Sequence, residues 1–88
     1  MNYSIKGDFS SKEIGGELFI YNRKHSTISS FNATGAFIWG LLNKGLAIDE
    51  ICRRLCEDYD VLPAEAAKDV SDFVKYLGEN GIITFLPE

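Results

Sequence analysis

The stretch FNATGAFIWGLLNKG, residues 31–45, sets eight apolar residues among three glycines. Within it Ala36, Phe37, Ile38, Trp39, Leu41 and Leu42 leave almost no polar side, so a helix built from them is buried nearly all round. Asn32 stands where its side-chain oxygen can accept backbone N–H bonds, and Asn43 to Gly45 offers a stop signal, which predicts a helix over 33–42. Gly35 and Gly40 lower helix propensity, and their expected use is to let a neighbouring element approach closely. Neither a GK[ST] nor a GxGxxG pattern accompanies them, which argues against phosphate cradling. The stretch is mainly core.

Periodicity outlines what surrounds that helix. Residues 16–22 (GELFIYN) are rich in strand formers, NRKHS is a polar break, and TISSF (Thr27–Phe31) reads as the second arm of a hairpin. A weaker strand signal covers 11–14 and ends at Gly15 and Gly16. Ile48, Ile51, Cys52, Leu55, Cys56 and Tyr59 make one stripe at helical spacing, predicting an amphipathic helix over Ile48–Tyr59. Glu50 with Arg54 and Arg53 with Glu57 can pair on its outer face. A third helix starts near Pro63, a residue suited to the first helical position, and runs to a left-handed cap at Gly81. Its inward residues are Ala66, Val70, Phe73, Val74 and Leu77, flanked by Asp69, Asp72 and Tyr76. GIITF, residues 81–85, closes the chain as a short strand or tail. No linker, repeat or low-complexity segment interrupts the pattern. Residues 1–88 therefore read as a single α+β domain, a winged helix-turn-helix with a small antiparallel sheet of about three strands followed by three helices. Fold alone does not give function.

Charge and size narrow the classes. A net charge of -4 disfavours binding to a phosphate backbone, which Lys and Arg drive by displacing counterions. At 88 residues the chain holds one modest core and no second lobe for a catalytic cleft. No apolar run approaches the roughly 18 to 20 residues that cross a bilayer, and the opening MNYSIKGDF lacks the basic-then-apolar order of a secretory signal. The expectation is a cytoplasmic protein with neither nucleic acid nor membrane as partner. Cys52 and Cys56 share a helix face without a CxxC pair or nearby His, which makes them buried thiols and not zinc ligands. His25 has no base, nucleophile or ligand beside it and is expected on the surface. No catalytic residue, metal or cofactor is expected.

FNATGAFIWGLL, followed by IDEICRRLCEDYDV and AKDVSDFVKYLGENGII, resembles the PqqD-like family of precursor-peptide recognition domains over residues 17–83. The order and spacing of the three motifs carry the resemblance. It implies a non-catalytic chaperone that holds the leader segment of a ribosomally made precursor peptide and delivers it to a modifying enzyme, often a radical SAM enzyme or a leader peptidase. It also implies that the sheet, not the helix-turn-helix, does the binding. The leader would join as an added strand beside the third strand and pack against the last helix. Carried onto this chain, that strand is Thr27, Ile28, Ser29, Ser30 and Phe31, and the helix face is Asp69, Phe73 and Tyr76.

Such a site has a physical logic of its own. An edge strand presents unpaired N–H and C=O groups that an extended peptide satisfies whatever its side chains are. Selectivity then comes from pockets for alternate side chains, and Phe73 and Tyr76 are expected to line one. Ser29 and Ser30 keep the strand polar, which limits self-association, although a bare edge also permits a homodimer. The last helix carries Glu65, Asp69, Asp72 and Glu79 against Lys68 and Lys75, so a basic residue in the leader would find favourable charge.

The chain also departs from the family pattern. Ala47 and Leu62 stand where side-chain caps are usual, each forfeiting about 1 kcal/mol. Ser29 replaces a common aromatic, which points to an unusual leader preference. NKG stands where the cofactor-pathway members have CDG, which favours a peptide natural product other than pyrroloquinoline quinone. Two other classes share the fold: a winged-helix DNA-binding regulator, which needs a basic recognition helix, and a structural subunit docked on an enzyme. The second and third helices carry as many acids as bases or more.

Overall fold

The computed structural model describes residues 2–86 and orders the chain as β1 (Asn2–Ile5), β2 (Phe9–Ile14), β3 (Glu17–Asn22), β4 (Thr27–Phe31), α1 (Ala33–Asn43), α2 (Ile48–Tyr59), α3 (Pro63–Glu79) and β5 (Ile83–Leu86). β2, β3 and β4 form an antiparallel sheet in that order, with β3 central. β1 and β5, the two ends of the described chain, pair with each other in a separate antiparallel ribbon. The α+β architecture expected from the sequence is thus present, with the β1–β5 ribbon added to it.

Alternation decides which face of the sheet is buried. On β3, Leu18, Ile20 and Asn22 are buried, while Phe19 and Tyr21 point the other way. Leu18 and Ile20 meet Ile38 and Leu42 of α1, Ile51 and Leu55 of α2, and Val70 and Leu77 of α3 in one core cluster. Trp39 anchors the centre, its ring edge-on to Phe9 at 5.7 Å and to Phe73 at 6.4 Å.

Local chemistry sets the helix limits. Asn32 caps α1, its Oδ1 accepting the Gly35 N–H at 3.1 Å. α1 ends in a pair of bonds from Gly45 N–H to the Leu42 carbonyl and Leu46 N–H to the Leu41 carbonyl, with Gly45 at φ 80°. α3 ends the same way at Gly81, φ 71°. Neither α2 nor α3 has a side-chain cap at its start, where Ala47 and Leu62 stand. α1 departs from the expected all-round burial along a strip of Ala33, Gly40 and Asn43, which share one face and are exposed. Gly40 lies on that strip with open space where a Cβ would project, so the close approach expected of it is not there. Cys52 and Cys56 are half-buried, and burial, reinforced by Asp49 and Cys56, pushes the Cys52 thiol above its ordinary range.

Two polar side chains fasten the periphery. The Tyr3 hydroxyl donates to the Leu46 carbonyl at 2.5 Å, tying β1 to the connection between α1 and α2. Buried Asn22 accepts the His25 N–H at 3.2 Å through Oδ1, and its Nδ2 donates to Asn80 Oδ1 at 3.4 Å. The β3–β4 hairpin is thereby held against the C-terminal end of α3. His25 itself is exposed. No helix among the described residues is long and apolar enough to cross a membrane.

Candidate functional site

β4 pairs with β3 on one side only, so its other edge is vacant among the described residues. β2 also has a vacant edge among the described residues, but Ser11 and Glu13 on its inner face are exposed. At β4 the wall is α3. The Tyr76 hydroxyl donates to Ser29 Oγ at 2.5 Å, and the Phe31 ring meets Tyr76 at 5.1 Å and Phe73 at 4.8 Å, both edge-on. As β4 advances from Ser29 to Phe31, its partners on α3 step back from Tyr76 to Phe73. The contacts therefore follow opposite chain directions on strand and helix.

Beyond Phe31 the gap opens into a cleft of about 250 Å³. Its floor is apolar: Phe31, Gly35, Ile38 and Phe73. Its rim is polar and in part acidic: Asn32, Thr34, Asp69 and Asp72. Gly35 makes the floor possible, because a Cβ there would lie 2.7 Å from the Phe31 Cβ. Asp72 is exposed and pairs with Lys68 at 2.7 Å, a bond that holds the lysine above its ordinary pKa range, with Asp69 adding a smaller push. Asp69 is half-buried, and no ion pair to it exists among the described residues.

The eight residues expected at the site separate into groups. Ser29, Phe31, Phe73 and Tyr76 touch one another, and Asp69 sits one helical turn further along the same face of α3. Thr27 shares the inner face of β4 but is exposed, opposite Asn22. Ile28 and Ser30 point to the outer face, where Ile28 lies across from Tyr21 and is 70% exposed. For these two, only the backbone edge faces an incoming strand. Tyr76 does not line the cleft; it closes the gap at Ser29 and so bounds the cleft on that side.

Thr34, Ile38 and Asp72 line the cleft without having been expected to bind anything. A signal for the first two was present. β4 runs straight into the Asn32 cap, so the first turn of α1 must lie beside Phe31, and Gly35 four residues on must face that ring.

A family model described as coenzyme PQQ synthesis protein D (PqqD) matches residues 17–83, which span β3 to the start of β5. The chain belongs to the PqqD family. Two solved structures have the same fold as this PqqD-family chain. TbiB1 in complex with the TbiA(beta) leader peptide superposes with a TM-score of 0.82 at 25% identity, over 97% of this chain and 99% of that one. Lasso peptide synthetase B1 complexed with the leader peptide gives a TM-score of 0.81 at 22% identity, over 99% of this chain and 100% of that one. No curated protein matches the sequence significantly.

Away from the groove, both arginines of α2 in this PqqD-family chain pair with acidic neighbours. On α2, Arg53 bonds to both Glu50 and Glu57, and Arg54 bonds to Glu50 at 3.2 Å. The hydrogen bonds from Arg53 and Arg54 hold the Glu50 carboxyl below the usual carboxylate range. Among the described residues no group of three or more His, Cys, Asp or Glu side chains is arranged to hold a metal ion.

Proposed function

We propose that this protein is a non-catalytic peptide chaperone. It binds the leader segment of a ribosomally synthesised precursor by strand addition at β4 and presents it to a modifying enzyme, a radical SAM protein or a leader peptidase, in the cytoplasm. The observation that carries the reading is the vacant edge of β4 beside the cleft against α3, with β5 engaged on β1 and so not filling that edge. Backbone groups along Thr27, Ile28, Ser29, Ser30 and Phe31 supply affinity, and the Phe31–Phe73 floor with Asp69 supplies selection. Tyr76 sets where the selective part begins. Further support comes from TbiB1, whose chain of nearly the same extent was solved with a leader peptide. A regulator that grips DNA fits less well, because both arginines of α2 are already engaged by acidic neighbours.

The test is a titration of isotope-labelled protein with leader peptides of the precursors made by the same cell, followed by backbone amide NMR. Shifts concentrated on Thr27–Phe31 and on Asp69, Phe73 and Tyr76 are the expected result. Shifts that avoid both segments place the site elsewhere, and a protein that binds none of the leaders has another function. Identifying the enzyme retained with the peptide complex then tests the presentation step.

A further inference from the structure

We propose that the groove reads two side chains of its guest at a spacing of two residues: an apolar one in the cleft over Phe73, and an arginine or lysine that pairs with Asp69. This deepens the peptide-binding reading above and rests on it.

The spacing comes from matching two repeats. Side chains on one face of an added strand recur about every 6.7 Å. Along α3, four residues separate Asp69 from Phe73, a rise of about 6 Å. Because Ser29 meets Tyr76, Phe31 meets Phe73, and Asp69 shares the cleft with both phenylalanines, a strand added to β4 passes Tyr76, Phe73 and Asp69 in that order. Its inward side chain at the level of Ser29 meets the closed Tyr76 contact. The next inward side chain meets Phe73 and the apolar floor, and the one after that meets Asp69.

A cation is the side chain that this last position suits. Asp69 is half-buried at the rim, and no described cation pairs with it, whereas its neighbour Asp72 is exposed and held by Lys68. A carboxylate partly shielded from water gains more from an incoming cation than an exposed one does. Arginine fits best, since its planar head takes the carboxylate through two bonds. The order of the pair reports strand direction: a guest antiparallel to β4 carries the cation first.

The experiment is a selection of displayed random peptides against the whole chain, with Asp69→Asn and Asp58→Asn as comparison baits. Selected peptides are expected to align on a basic and an apolar residue two apart. The best of them, made synthetically, should lose about tenfold in affinity on Asp69→Asn, the loss of one charge-assisted bond. It should lose less than about twofold on Asp58→Asn, which removes an exposed carboxylate of α2 outside the groove. Asp69→Lys should restore binding to the same peptide with its cation changed to Glu. Peptides that shift the β4 amides yet carry no fixed cation, or that bind Asp69→Asn as well as the original, overturn the two-residue code and leave strand addition standing. A selection that yields no binder, together with leaders that do not bind, overturns the peptide reading and the code with it.

Discussion

Gly35 and Gly40 occupy the same helix and carry opposite predictions. A Cβ at position 35 would press on the Phe31 Cβ at 2.7 Å, with no room on the buried side to move. Gly35→Ala should therefore forfeit the gain in helix propensity and destabilise the protein by about 1–3 kcal/mol, displacing Phe31 from the cleft floor. Gly40→Ala projects into open space and should stabilise by about 0.5–1 kcal/mol. Urea unfolding of the two variants checks both signs. Tyr3 gives a pH-dependent prediction at the same scale. Burial raises its hydroxyl pKa above the ordinary value, so the folded state favours the neutral form. The stability it contributes is complete below about pH 10 and is lost as pH rises through the raised folded value. Tyr3→Phe should cost about 0.5–1.5 kcal/mol at neutral pH and make the alkaline fall in stability shallower, as read by unfolding midpoints between neutral and alkaline buffers.

At the scale of elements, the starts of α2 and α3 are the places where stability is easily added. Ala47 and Leu62 already have the extended backbone of a capping residue, with ψ of 149° and 148°, and lack only an acceptor. Leu62 is 72% exposed, so its side chain contributes little to the core. Ala47→Asp and Leu62→Asp should each stabilise by about 1 kcal/mol, a rise of about 4–8 °C in Tm. A thermal melt of each single variant tests this, and no gain in either would contradict the cap geometry. The same elements show how local signals succeed and fail. Thr27–Phe31 and Ile48–Tyr59 were legible to the residue, the strand because a polar turn and the Asn32 cap bound it, the helix because its apolar stripe keeps a clear period. β1 was not, and β5 was outlined only as a short strand or tail over 81–85, because each is four residues long and its partner is distant in sequence. Neither segment carries a local mark of pairing with the other.

At the scale of the whole molecule, the groove was half legible. The resemblance to the PqqD-like family pointed to the strand and to the α3 positions Asp69, Phe73 and Tyr76; of these, Phe73 and Tyr76 touch the strand and Asp69 shares the cleft with Phe31. It did not mark the cleft, which exists only because α1 leaves the strand at Asn32 and passes Gly35 beneath Phe31. Nor did it tell where the C-terminal strand would go, and on that the accessibility of β4 depends. The β1–β5 ribbon answers the question by engaging Ile83–Leu86 away from β4. The most direct test of the central claim is therefore amide hydrogen exchange across Thr27–Phe31, with and without a leader peptide that binds. In the free protein, amides of β4 that point away from β3 should exchange rapidly, and the peptide should protect them alternately along the strand while the β2 edge stays unchanged. Amides already protected in the free protein, or unaltered by a bound leader, would contradict strand addition at this edge.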